Sequence, residues 1–131
     1  LIQKSSKKLF EDGHFANAAE DAFIEINARV KNLFSIVNPG SKVSDGDTAM
    51  TTVFSTNNPL IEFCDRSTET GYNKQKGYMQ MLAGAMSALR NPKAHSNSEI
   101  LSAEEAYRRL TTASMLMYAI DDALKYSKIK E

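Results

Sequence analysis

The chain has 131 residues and is 42% hydrophobic, which suits one domain with a single core. Sixteen Lys and Arg balance sixteen Asp and Glu, which argues against a general polyanion binder, so any nucleic-acid contact must be local. The single cysteine, Cys64, permits no internal disulfide, and there is no apolar run long enough for a membrane helix, so a cytoplasmic protein with no membrane contact is expected.

Taken in order, Ile2 to Asp12 reads as a short helix, with Gly13 available for the left-handed C-terminal position. His14 to Val37 is the first long helix, with His14 at its start. Phe15, Ala19, Ala22, Ile26, Val30, Leu33 and Val37 recur every three or four residues, Phe23 and Phe34 widen the stripe, and Glu20, Asp21, Arg29 and Lys31 fall on the wet side. Asn38-Pro39-Gly40 stops it.

From Ser41 to Gly71 the periodicity fades. Ser44-Asp45-Gly46 is a turn signal, Asp47 to Phe54 reads as one or two helical turns capped by Asp47, and Leu60, Ile61 and Phe63 form an apolar patch after the break at Asn57-Asn58-Pro59. A structured insert packed on the helices is expected here, with a short hairpin around Thr68 to Tyr72.

Gln75 to Arg90 is the second long helix, with Tyr78, Leu82, Ala85 and Leu89 on one face. Gly84 in its interior costs about 1 kcal/mol against alanine, which points to a close helix contact there. Ser102 to Tyr126 is the last long helix. It opens with a capping box, Ser102 to Glu105, and turns Ala106, Leu110, Ala113, Met117, Ile120 and Leu124 inward, with Tyr107 and Leu116 broadening that face. Ser114 and Tyr118 are expected in packing or helix-surface roles, with RNA contact the lesser alternative. The expected fold is all-α: an antiparallel bundle of three long helices plus short ones, with an irregular insert between the first two long helices, in one domain over residues 1–131. The chain begins at Leu1 rather than Met, so it is expected to be the C-terminal part of a longer protein.

The chemistry concentrates in Arg90-Asn91-Pro92-Lys93-Ala94-His95. Asn91-Pro92 breaks the helix, and Pro92 suits the first turn of a new segment capped by Asn91. His95 then falls about one turn past the bend, where it and Arg90 could face one cleft. Arginine grips a phosphate with two hydrogen bonds, and histidine carries a proton near neutral pH. Between Gly71 and His95 there are four basic residues, Lys74, Lys76, Arg90 and Lys93, and no acid. Attack of an RNA 2′-hydroxyl on its own phosphate needs a base, an acid and positive charge, with no metal in principle. His95 suits the proton transfer and Arg90 the charge. One chain supplies one such histidine, whereas a symmetric dimer would bring two copies together. The plain alternatives are that Arg90 caps helix carbonyls and His95 lies at the surface. Cys64, His14 and His95 are too few for a structural zinc site, and there is no Gly-rich phosphate loop, so no cofactor is expected.

The spacing from Arg90 to His95 resembles the R-x4-6-H signature of the HEPN superfamily. The flanking words Gly84-Ala85-Met86-Ser87-Ala88-Leu89 and Asp12-Gly13-His14-Phe15 resemble the Ymh-type bacterial C-terminal domains grouped with it. The resemblance spans Leu9 to Leu124. It implies a dimeric, metal-independent endoribonuclease with a composite site, serving as a toxin or antiviral effector. Arg90 and His95 would be catalytic and Asn91 would orient the site. Lys93 occupies a variable position of the signature, and we read it as a phosphate contact or as a bystander. The implied partners are a second copy, RNA, and an N-terminal regulatory domain or antitoxin. Some HEPN domains are inactive, so the alternative is a non-catalytic helical dimerisation or nucleotide-binding domain.

Overall fold

The computed structural model describes residues 2–11, 13–90 and 101–131. Five helices make up the bundle: α1 (Ile2–Glu11), α2 (Phe15–Val37), α3 (Asp47–Val53), α4 (Glu69–Ala88) and α5 (Ala103–Ser127). No strand occurs among the described residues. The helical bundle expected from the sequence is what forms.

Helix α2 is the hub, because α1, α3, α4 and α5 all pack on it. Its apolar stripe is correspondingly wide: Ala22, Phe23, Ile26, Val30 and Leu33 are fully buried, and Phe34 nearly so. Burying a side chain of that size contributes about 1.5–3 kcal/mol, so α2 anchors most of the core. Helix α1 runs antiparallel to it. Gly13 turns the chain with φ of 84°, its N–H donating to Phe10 O, and Ser6 Oγ then reaches Asp21 Oδ2 at 3.2 Å.

The insert before α4 is ordered by one buried side chain. Gln75 is fully buried; its Oε1 accepts from Phe63 N at 2.9 Å, and its Nε2 donates to Phe54 O and Ile61 O at 3.1 and 3.2 Å. Every polar atom of the amide faces a backbone group that water cannot reach. Phe63 stacks between Phe54 and Tyr78 with ring centroids 4.9 and 5.0 Å away. From the other side, Ser127 Oγ accepts from Glu62 N and donates to Glu62 O, both at 3.0 Å, tying the insert to the end of α5.

Five expectations need correction. There is no hairpin at 68–72: Thr68 caps α4, its side chain accepting from Gly71 N, and the helix starts at Glu69. Gly71 is there because a Cβ would lie 1.7 Å from Asp65 O. Gly84 makes no close helix contact; it is exposed, and a Cβ there would meet nothing within 4 Å. Arg29 is not on a wet face. Its side chain is 12% exposed, and it bonds Asp121, Glu131 and the backbone of Met117. Burial opposes its charge, but the carboxylates of Glu131 and Asp121 together outweigh that and hold its pKa above the ordinary value. Tyr107 does not broaden the inner face of α5, since it is 65% exposed. Asp47 opens α3 rather than capping it: Gly46 holds the cap position, with no side-chain cap bond. The Ser102 cap forms as expected, accepting from Glu105 N.

Candidate functional site

Arg90 follows Leu89, the C-terminal cap of α4, and its N–H still donates to Ala85 O at 3.2 Å. The helix end thus fixes the backbone from which the guanidinium projects. That group packs on the turn before α3: a Cβ at Gly46 would lie 2.9 Å from Arg90 Nη2, and Gly46 holds φ at 76°, a value favoured by glycine alone.

The turn is held by α2. Asn27 is 8% exposed, the one amide on the inner stripe of that helix. Its Oδ1 accepts from Gly46 N at 2.8 Å and its Nδ2 donates to Asp45 Oδ1 at 3.3 Å. One turn along, Lys31 Nζ lies 2.6 Å from the same Asp45 oxygen. Lys31 and then Asn27 hold the Asp45 carboxyl below the usual carboxylate range, and the charge of Arg90 adds to this. Two cations, Lys31 and Arg90, therefore flank one carboxylate over a rigid turn.

The Arg90 Nε is buried and has no hydrogen-bond partner among the described residues. A buried donor without an acceptor costs about 1–3 kcal/mol, more when charged, so an anionic acceptor arriving there would be well received.

Of the residues picked from the sequence, Arg90 is placed at this site. Asn91, Lys93 and His95 lie outside the described residues. Asn27, Lys31 and Asp45 were not picked. A polar amide between Ile26 and Val30 on a buried stripe was the signal for Asn27, and Ser44-Asp45-Gly46 was legible as a turn but not as the seat of Arg90. His14 stands at the N-terminal cap of α2, exposed and without a side-chain cap bond. Cys64 is half-buried, its thiol 3.4 Å from Gly71 O. Among the described residues no His, Cys, Asp and Glu gather into a metal-binding group.

A family described as a protein of unknown function, Hypoth_ymh, matches residues 1–120. The chain belongs to that family. The match covers α1 to α4 and most of α5, and so includes Asn27, Asp45, Gly46 and Arg90. No curated protein and no solved structure matches the chain. No helix among the described residues of this Hypoth_ymh domain is long and apolar enough to cross a membrane.

Proposed function

We propose that this domain is a metal-independent endoribonuclease of the HEPN type, acting as a cytoplasmic toxin or antiviral effector. The observation that carries the reading is the Arg90 guanidinium, seated on the Asp45-Gly46 turn, its buried Nε without a partner among the described residues. A phosphodiester oxygen is an acceptor that suits such a donor. In this reading Arg90 stabilises the charge that grows on the phosphate as the 2′-oxygen attacks. His95 takes the 2′ proton or protonates the 5′ leaving oxygen. Asn91 orients the site, and Lys93 meets the RNA backbone. Two chains related by a two-fold axis supply the base and the acid together.

The test is incubation of the purified domain with labelled single-stranded RNA in excess EDTA, beside Arg90→Ala and His95→Ala preparations. The expected products carry 2′,3′-cyclic phosphate ends, and both variants lose cleavage while keeping their helical content. Undiminished cleavage by a clean His95→Ala preparation would overturn the assignment.

One observation favours a second reading, a non-catalytic interaction domain. Arg90 packs against Gly46 and lies within the field of Asp45, as a strut between α4 and the turn before α3 would. That reading predicts a loss of stability in Arg90→Ala and no RNA turnover by any preparation.

A further inference from the structure

Among the described residues, nothing packs on the outer face of α5. The helix is 25 residues long, about 37 Å. Ala106, Ala113, Ile120 and Leu124 cover its inner side, yet Tyr107, Met115 and Tyr118 stand 65%, 49% and 60% exposed. Beside them runs an open groove of about 870 Å³, walled by Phe10 of α1, Tyr78 of α4 and Leu110, Met115 and Tyr118 of α5. A contiguous apolar and aromatic patch of this kind on one helix face is a candidate interaction surface.

We propose that this face is an interface between two copies of the chain, with the two α5 helices antiparallel about a two-fold axis between Ser114 and Met115. The order of residues along the face carries the inference. Antiparallel pairing about that axis sets Ser114 opposite Met115 and Thr111 opposite Tyr118, a smaller side chain against a larger one each time. Tyr107 comes opposite Asp122, a hydroxyl against a carboxylate. Farther out, Glu104 comes opposite Lys125, unlike charges at both ends. Each pairing occurs twice, as an isologous contact requires. Moving the axis one turn either way sets Tyr107 against Met115 or Tyr118 against its own copy, and no unlike-charge pair survives. The Glu104–Arg108 ion pair within the helix is no obstacle, because its side chains are 75% and 65% exposed and such pairs contribute little.

This interface goes beyond the ribonuclease reading and does not rest on it. Asn27 and Arg29 are two residues apart on α2 and project to opposite sides, Asn27 to the turn that seats Arg90 and Arg29 to α5. Helix α5 thus packs on the side of α2 opposite the turn that seats Arg90. Used alone the α5 face makes a two-chain assembly; combined with an axis near Arg90 it makes a four-chain one.

The experiment is the solution mass of the full chain by sedimentation equilibrium, read without RNA. The wild-type chain is expected to associate, and Met115→Asp with Tyr118→Asp to halve the mass while helical content is retained. Glu104→Lys and Lys125→Glu singly should each weaken association about 3- to 10-fold, and the two together should restore it. This charge-exchange pair decides the matter if the apolar variant fails to fold. A monomeric wild-type chain, an unchanged mass in the folded apolar variant, or a double exchange that restores nothing would each overturn the interface. Failure of RNA cleavage bears on none of these readings of mass, so the two proposals stand or fall separately.

Discussion

Gly46 and Arg90 share one small volume: the hydrogen on the Gly46 α-carbon stands where any larger group would press on the Arg90 guanidinium, with a Cβ only 2.9 Å from Nη2. The positive φ of 76° makes the position doubly restrictive. Gly46→Ala should therefore cost about 1–3 kcal/mol and displace Arg90 from the turn. Urea denaturation reads the first effect. If Arg90 grips phosphate, RNA affinity should fall in Gly46→Ala more than in a control of equal stability loss elsewhere in the core.

Asp45 supplies a pH signature. Its folded-state pKa is depressed, chiefly by Lys31 and then by Asn27. The stability it contributes is therefore fully present above the ordinary unfolded value of about 3.9 and is lost as pH falls through the lower folded value. NMR titration of the Asp45 carboxyl should show a midpoint below the usual range in the wild type and a higher one in Lys31→Ala. The stability difference between those two proteins should be constant from pH 7 to about pH 5 and shrink below pH 4. A midpoint unmoved by Lys31→Ala would mean that the pair is not formed in solution.

Gln75→Leu should be among the most damaging single changes to the scaffold. It keeps the volume but leaves Phe63 N, Phe54 O and Ile61 O facing an apolar side chain. Each orphaned backbone group costs about 1–3 kcal/mol, and partial relaxation should bring the total to about 3–5 kcal/mol. A loss under 1 kcal/mol in chemical denaturation would show that the insert finds other partners.

Two of the three α4 glycines should respond in opposite directions. Gly84 is exposed with open space about it, so Gly84→Ala should raise stability by about 0.5–1 kcal/mol. At Gly71 a Cβ would meet Asp65 O at 1.7 Å, and Gly71→Ala should unfold the start of α4 or prevent folding altogether. Melting temperatures of the pair settle both.

These particulars also mark where the sequence was legible. Helices α2 and α5 were readable because their burial is set by spacing alone: Ile26, Val30 and Leu33, or Ala113, Ile120 and Leu124, recur at the helical period and are buried. The start of α4 was not readable that way. Its first turn carries Glu69, Thr70 and Asn73 rather than a stripe, and Gly71 is fixed by the backbone of Asp65, a contact that no local pattern encodes. Gln75 looked like an ordinary polar helix residue because its partners lie 12 to 21 positions earlier. At the site, Arg90 was visible as a charged residue before a helix break. Its seat was not, since Gly46, held by Asn27, meets it only through the fold.

The bonds to Gln75 and Ser127 give residues 54–63 a character that their lack of helix conceals. The amides of Ile61, Glu62 and Phe63 are held by Val53 O, Ser127 Oγ and Gln75 Oε1, contacts that lie within or against the core. They should resist deuterium uptake like the interior of a helix and open only with the whole domain. A protease probing the native protein should leave this stretch intact and cut instead near the exposed residues 38–42, the better place to splice in a tag or a fluorescent reporter.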